Sequence, residues 1–295
     1  MPASSEMICV LGSSGQVATA LKETGRPELT FLGRDQADFT KPDQVVSALE
    51  KLQPKFVVNA VAYTAVDLAE KERELAFQVN AHTVGRIARY CAEHRVPLIH
   101  YSTDYVYDGT GTAPWKETDP IRPQNVYGES KAEGEKVVRE SGAPHLILRT
   151  SWVYHSTGKN FVHTMLRLGA DRDSLSVVGD QVGSPTSARA IAEATLKLID
   201  SGKSAWGTYN FAGAGFTSWH GFAVKIFETA REMGFPLKVG EVKEIPSSAY
   251  PTPAKRPLNS RLNQEKLLSA FGVQLPPWER SLRECLAAIH EGKKP

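Results

Sequence analysis

The chain has 295 residues, enough to bury a large core and to build one large domain with an appended lobe, or two domains. Its 35 basic and 33 acidic residues are interspersed and leave a net charge of +2, which excludes a long-range field that would recruit nucleic acid or an anionic membrane. No run approaches the ~20 apolar residues of a membrane span, Met1 to Glu6 lacks the start of a signal peptide, and Cys9, Cys91 and Cys285 have no metal-ligand spacing, so a soluble cytoplasmic protein with reduced thiols is expected.

Met7-Ile8-Cys9-Val10-Leu11 is a continuous apolar run, as in a strand buried on both faces of a parallel sheet. Gly12-Ser13-Ser14-Gly15-Gln16-Val17-Ala18 follows at once. Gly12 and Gly15 let the backbone turn tightly and approach a diphosphate, while a helix opening at Gln16 and Val17 directs N–H groups at the anion. Many strand-to-helix turns carry such a glycine pair for steric reasons alone. Leu29 to Leu32 reads as a second strand, and Gly33-Arg34-Asp35 stands where such folds meet an adenosine ribose. Arg34 suits the 2′-phosphate of NADPH; Asp35 suits the ribose hydroxyls of NADH. Asp38 is a candidate for the adenine amino group and Phe39 for apolar contact with the ring, although Thr40 before Lys41-Pro42 also reads as a helix cap.

Phe56 to Ala62 reads as the next buried strand, whose small residues Ala60 and Ala62 let a nicotinamide dinucleotide lie close, with Tyr63 and Thr64 on the following loop as contacts or as loop packing. A helix is expected from about Leu75 to His94, with Asn80 bracing backbone near the site or serving as a structural amide. Val96 to Tyr101 is a strand that delivers Ser102, Thr103 and Asp104 to its carboxyl end, where open parallel sheets bind ligands. One loop later, Tyr127-Gly128-Glu129-Ser130-Lys131 sets a phenol and an ammonium one helical turn apart. Tyr127 alone among the nine tyrosines has Lys four positions on, and a Lys⁺ beside a phenol lowers its pKa.

His145 to Arg149 gives a further strand, so strand and helix alternate as in a doubly wound α/β sheet. The pattern then loosens through Trp152 and Asn160 to an amphipathic stretch at Val162 to Leu168. Ala188 to Ile199 reads as a helix and Gly207 to Phe211 as a strand returning to the sheet. The expected division is a Rossmann-like NAD(P)-binding domain of residues 6–150 with about 187–214, and a smaller α/β substrate lobe of about 151–186 with 215–295. Pro246, Pro251, Pro253 and Pro257 mark an ordered loop, and Lys255, Arg256 and Arg261 near it are either phosphate ligands or a solvated basic face.

With the glycine turn, the strand-end Thr and Tyr-x-x-x-Lys in this order, the chain resembles the extended short-chain dehydrogenase/reductase superfamily. Asn59 to Asp67, Tyr101 to Val106, Asn125 to Gly128, Arg149 to Tyr154, Ser248 to Ala254 and Asn259 to Leu262 resemble, more closely, the dTDP-4-dehydrorhamnose reductase family. The resemblance implies that Tyr127 protonates the 4-keto oxygen of a dTDP-4-dehydro-6-deoxyhexose while NADPH, or NADH, delivers hydride. It implies that Lys131 lowers the phenol's pKa and holds the nicotinamide ribose, that Thr103 bonds the keto oxygen, and that Asp104, Tyr105 and Trp152 position the sugar. The family's cofactor contacts fall on Gly15, Gln16, Val17, Asp38, Phe39, Ala62, Tyr63, Thr64, Tyr101, Tyr127 and Lys131; Asn160 and Arg261 are candidates for the substrate's diphosphate.

Some members dimerise around a metal held by glutamates, but Ala20 and Arg189 occupy those positions here, so no metal is expected and a monomer or weak homodimer follows. The family also implies functional coupling to a 3,5-epimerase. A dehydratase requires Asp-Glu after the catalytic Thr, whereas Tyr105 follows Asp104. A nucleotide-sugar epimerase that retains its cofactor, and a non-catalytic NADP-binding regulatory subunit of the methionine adenosyltransferase type, are the alternatives.

Overall fold

The computed structural model describes residues 7–292, so the reading of Met1 to Glu6 lies outside the described residues. β1 (Ile8–Leu11) leads into α1 (Gln16–Glu23), β2 (Leu29–Leu32) into α2 (Pro42–Leu52), and β3 (Phe56–Asn59) into the short helices α3 (Val66–Ala69) and α4 (Arg73–Phe77). A π-helical turn at Gln78–His82 joins α4 to α5 (Thr83–His94); β4 (Leu98–Thr103), α6 (Val126–Glu140) and β5 (His145–Thr150) follow. The later chain carries β6 (Val153–Tyr154), α7 (Phe161–Asp171), β7 (Ser174–Val178), β8 (Val182–Gly183), β9 (Thr186–Ser187) and α8 (Ala188–Asp200). It closes with β10 (Gly207–Asn210), β11 (Thr217–Ser218), α9 (Trp219–Glu232), β12 (Glu241–Ile245), β13 (Asn259–Ser260), α10 (Glu265–Phe271) and α11 (Trp278–Glu291).

Six strands form one parallel sheet in the order β10-β5-β4-β3-β1-β2. From β1 the chain moves outward to β2 and then crosses back to β3 on the other side. That reversal opens a crevice at the carboxyl ends of β1 and β3, where this class of sheet binds its ligands. The architecture is thus the doubly wound, Rossmann-like one. On one face, Val10, Leu21 and Leu148 pack with Ile191 and Leu196 of α8; on the other, Cys9, Leu11 and Val57 pack with Val45, Ile87 and Cys91. All three cysteines are buried, and burial pushes their thiols up to about 12, as expected of packing residues.

A third apolar cluster joins Tyr154, Val162, Leu166, Phe222, Phe227 and Leu286. Small sheets surround it: β12 on β7, β8 between β11 and β13, and β6 on β9. α10 lies elsewhere, for Leu267 and Phe271 join the core of the large sheet, although their stretch was expected in the lobe.

Two sequence expectations change in detail. The strand expected to reach Ala62 stops at Asn59, because the Asn59 side-chain oxygen accepts from Val61 N at 3.1 Å and turns the backbone out of the ladder. The helix expected over 75–94 is a rod interrupted by the π turn, which brings the Asn80 side chain inward.

α6 presses unusually close to its neighbours. A Cβ on Gly128 would collide with the Tyr105 carbonyl, and one on Gly134 with the Asn80 carbonyl, both of them backbone atoms that cannot swing aside. Gly134→Ala is therefore expected to cost about 1–3 kcal/mol by overpacking, read as a lower urea midpoint at unchanged m-value; a midpoint equal to that of the parent would contradict the contact.

Candidate active site

The first turn of α6 is held from outside the helix. Asn125 caps it by accepting from Gly128 N at 2.8 Å, and Glu70 accepts from Val126 N at 2.9 Å, satisfying two otherwise orphaned donors. Tyr127 and Lys131 then project from one face toward the end of β4. Tyr105 sets its ring edge-on to Tyr127, with centroids 5.5 Å apart at 76°.

Burial raises the Tyr127 phenol to about 12, the neighbouring Thr103 hydroxyl opposes this, and the Asp104 carboxylate adds to it. Lys131 is 1% exposed, and burial lowers its ammonium to about 8 against the attraction of Glu135. Its Nζ donates to the Tyr101 carbonyl at 2.6 Å. The expected lowering of the phenol by Lys131 is therefore not produced in this arrangement: desolvation of Tyr127 dominates, and the phenol holds its proton at neutral pH.

A polar seam beneath this pair escaped the sequence reading. Ser102 donates to Glu135 Oε1 at 2.6 Å, and Arg149 grips both Glu135 oxygens at 2.8 and 2.6 Å while reaching Tyr107 OH at 2.7 Å. Hydrogen bonds and charge from Arg149 hold the Glu135 carboxyl below its ordinary range against the opposing effect of burial. The available signal was the pair of polar residues, His100 and Ser102, at alternate positions of an otherwise apolar strand, opposite Lys131 and Glu135 four apart on a helix. Asn80 accepts from Tyr63 N at 2.8 Å and donates to Tyr63 O and Ser130 Oγ, bracing the cofactor loop against α6.

The crevice at β1 and β3 has the shape a dinucleotide requires. Gly12 adopts φ +103°, and a Cβ there would crowd Val61 and the Ala60 carbonyl. Gly15 caps α1 without a side-chain bond, leaving the amides of the first turn, Gln16 and Val17 included, free of a capping side chain. Ala60, Ala62 and Tyr63 are half-buried along the β3 end and Thr64 is exposed. Gly33 lies against Ser13, which places Arg34, 83% exposed and 3.8 Å from Asp38, beside the glycine turn.

Three residues of the expected cofactor set have side chains engaged within the protein. The Phe39 side chain is buried under α2 in the core and offers no open ring face. Thr40 bonds Asp38 Oδ1 through both its N–H and its hydroxyl, so Asp38 is locked into a local turn while Lys41 is the cap of α2. Tyr101 sends its hydroxyl away to Thr195 at 2.7 Å, and only its carbonyl faces Lys131.

On the substrate side, Asp104 is 2% exposed, burial raises its carboxyl to about 6, and its Oδ2 has no hydrogen-bond partner. Thr150, in register with Thr103, carries a buried, unpartnered hydroxyl, and the buried Ser260 hydroxyl on β13 lies against the Asp104 carboxyl. Trp152 adopts φ 48°, a strained conformation for a large side chain, and stacks on Trp219 at 3.7 Å and 13°, so one of its faces is covered. Asn160 is the cap of α7, and its amide nitrogen is bonded to the His155 carbonyl and to Gln16; Arg261 bonds Asn259 Oδ1 at 3.0 Å. The structure thus brings Thr103, Asp104, Tyr105, Tyr127 and Lys131 together and gives Asn160 a capping role. Arg256, which the sequence offers as a phosphate ligand or part of a solvated basic face, pairs with Asp67 at 2.7 Å and lies against the Tyr105 hydroxyl.

A family model described as the RmlD substrate binding domain matches residues 6–291. The dTDP-4-dehydrorhamnose reductase of Salmonella typhimurium is 43% identical over 96% of this chain and 97% of its own; that of Escherichia coli K12 is 42% identical over 95% and 96%. The chain belongs to this reductase family. A Bacillus anthracis dTDP-4-dehydrorhamnose reductase solved in complex with NADP superposes with a TM-score of 0.89 at 36% identity, covering 96% of this chain and 99% of that one.

Ala20 and Arg189, the positions that the resemblance matched to metal-holding glutamates, line a groove between α1 and α8, and Arg189 is paired with Glu193 at 2.9 Å. Among the described residues no cluster of three or more His, Cys, Asp or Glu is arranged to hold a metal ion, and no helix is long and apolar enough to cross a membrane.

The buried lysine yields a prediction of opposite sign for stability and activity. A folded-state pKa depressed to about 8 means that below this pH folding carries the cost of a desolvated ammonium, about 3 kcal/mol. That cost is relieved as pH rises from about 8 through the unfolded lysine's value. Lys131→Met is expected to keep or raise the thermal midpoint at pH 7 while abolishing turnover. Asp104 carries the same logic for an acid: its raised pKa makes the ionised form costly above pH 6. Asp104→Asn should stabilise the protein relative to the parent at pH 8 and lose that advantage near pH 4, as followed by thermal melts across the range.

Proposed function

We propose that the chain reduces the 4-keto group of dTDP-4-dehydro-L-rhamnose to give dTDP-L-rhamnose, with NADPH as reductant. The observation that carries this reading is a phenol kept protonated, beside a strand-end Thr and a buried Lys, at the carboxyl edge of a sheet whose glycine crevice suits a dinucleotide. Family membership supplies the substrate class, since the relatives named above are dTDP-4-dehydrorhamnose reductases. NADP in the Bacillus anthracis relative favours NADPH, as does exposed Arg34 beside the glycine turn; NADH remains the alternative through Asp35.

When bound, the cofactor supplies hydride to the carbonyl carbon. The chain's own residues do the rest. Thr103 donates to the ketone oxygen and stabilises the charge that develops there. Tyr127 gives that oxygen its proton, so the C=O becomes CH–OH and a phenolate remains to be reprotonated. A phenol near pKa 12 is still acidic enough to protonate an alkoxide, and being protonated at neutral pH suits it to reduction rather than to proton abstraction. Lys131 orients the nicotinamide ribose. Asp104, Ser260 and Thr150 offer buried polar atoms to the sugar hydroxyls, and Arg256 and Arg261 offer positive charge to the diphosphate. Tyr105 packs on Tyr127 where a dehydratase would hold a carboxylate base, which disfavours elimination.

Residues up to 150 with about 187–214 form the cofactor domain in this reading, with the third apolar cluster as the core of the substrate lobe. The enzyme acts in the cytoplasm after a 3,5-epimerase, as a monomer or weak homodimer. NADPH oxidation is expected only when the dTDP-6-deoxy-4-ketohexose and a 3,5-epimerase are present; no loss of NADPH absorbance at saturating substrate overturns the proposal. Tyr127→Phe should lower kcat by about 10²–10⁴-fold while cofactor affinity, measured by fluorescence titration, stays near that of the parent.

A further inference from the structure

Behind Lys131, on the side away from Tyr127, runs a chain of buried polar groups that neither the cofactor nor the substrate accounts for. His100 on β4 is completely buried. Its Nε2 lies 3.4 Å from Lys131 Nζ and its Nδ1 lies 3.1 Å from Asn59 Nδ2. Asn59, opposite His100 in the β3–β4 register and 1% exposed, has its orientation fixed at the far end, because its Oδ1 accepts from Val61 N at 3.1 Å.

The direction of this chain follows from donors and acceptors alone. Val61 N–H can only donate, so Asn59 presents oxygen to it and its NH₂ to His100. Nδ1 of His100 must then accept, which leaves the proton of a neutral imidazole on Nε2, pointing at Lys131. An ammonium has no lone pair to receive that N–H; an amine has one. With Lys131 uncharged, every group in the run from Val61 through Asn59 and His100 to Lys131 and the Tyr101 carbonyl is satisfied. With Lys131 charged, one buried donor faces another, a costly arrangement where both groups are buried.

We propose that His100 is a positioning residue of the reductase site: oriented by Asn59, it presents Nε2–H to Lys131 and thereby favours the uncharged amine of that lysine over its ammonium. The assignment rests on the reductase reading only for its consequence in catalysis, since the hydrogen-bond chain belongs to the protein itself. By weakening the lysine's hold on its extra proton, His100 helps to leave the Tyr127 phenol in its protonated, acid-ready form, and Lys131 keeps N–H donors for a ribose hydroxyl in either state. The other groups around the pair act as follows. Glu135 on α6 attracts a proton to Lys131 but is itself neutralised by Arg149 and Arg139; Tyr127 is uncharged; Asp104 acts on Tyr127; and His145 and Lys131 disfavour a charge on His100. Burial, the largest influence on each, lowers both His100 and Lys131.

The test reads the protein directly by ¹⁵N NMR of the histidine rings and lysine amines in the full-length, cofactor-free chain, with His100→Gln and Lys131→Met used for assignment where they fold. His100 is expected as the neutral Nε2–H tautomer with no titration from pH 5.5 to 9; an Nδ1–H tautomer, or protonation within that range, overturns the proposal whether or not any variant can be made. Asn59→Asp tests the direction. Its second oxygen would accept from His100 Nδ1–H, reversing the ring and giving Lys131 an acceptor, so the lysine should titrate at least about one pH unit higher. His100→Gln, which lets its side-chain oxygen face Lys131, should do the same. In both variants the corresponding ionisation in the kcat–pH profile should move upward by a similar amount. A purely structural role would lower kcat without moving the profile, and that outcome also overturns the assignment. Absence of ketosugar reduction by the parent protein would count against the function and leave the tautomer measurement standing.

Discussion

Burial of ionisable groups between α6 and the carboxyl halves of β4 and β5 is the constraint on which the rest of the structure depends. Lys131 and Glu135, four residues apart on the helix, face His100 and Ser102, two apart on the strand, and Arg149 from the next strand completes the set. Helical and strand periodicity meet there in register, so each polar atom on one element finds a partner on the other. Charges in such a place are costly unless paired. Glu135 meets that condition with two arginines and a serine, whereas Lys131 has only a carbonyl and an imidazole. The asymmetry is functional: the carboxylate is fixed and structural, and the lysine is left with a proton affinity that its surroundings can tune.

Close approach is the second requirement, and glycine supplies it. Gly128 and Gly134 remove the two side chains that would hold α6 away from the Tyr105 carbonyl and from the π turn. The π turn in its turn aims Asn80 at both Tyr63 and Ser130, so the cofactor loop and the catalytic helix share one bracing amide. The position of the phenol is thus a consequence of backbone packing more than of Tyr127's own contacts.

Much of this was legible in the sequence, and the reasons differ by element. Strands such as Ile8–Leu11 are buried on both faces and announce themselves as unbroken apolar runs. The glycine turn and Tyr-x-x-x-Lys are local, and local spacing survives folding. The polar seam was not legible, because Glu135 and Arg149 are individually ordinary charged residues and only the β4–β5 register and the approach of α6 join them. The electrostatic expectation for Tyr127 failed for a related reason: spacing gives the distance of a lysine along a helix but not the depth at which both groups lie. The Phe39 and Asn160 readings missed side-chain direction, which tertiary packing of α2 and capping of α7 decide.

The atoms left without partners outline the remaining chemistry. Buried polar atoms of Asp104, Thr150, Ser260 and Arg256 lie near the sheet's carboxyl edge with few or no partners, and among the described residues Tyr154 OH, in the third apolar cluster, and Gln264 Oε1 are also buried without one. Asp104 and Thr150 belong to or adjoin the sheet's carboxyl edge, while Ser260 and Arg256 come from the late segment that crosses back over it. A buried unsatisfied group is disfavoured by roughly 1–3 kcal/mol, and on the proposed reading the sugar hydroxyls complete those of Asp104 and Thr150. On the proposed reading, the catalytic pair sets which bond is made, and these polar atoms hold the sugar for it.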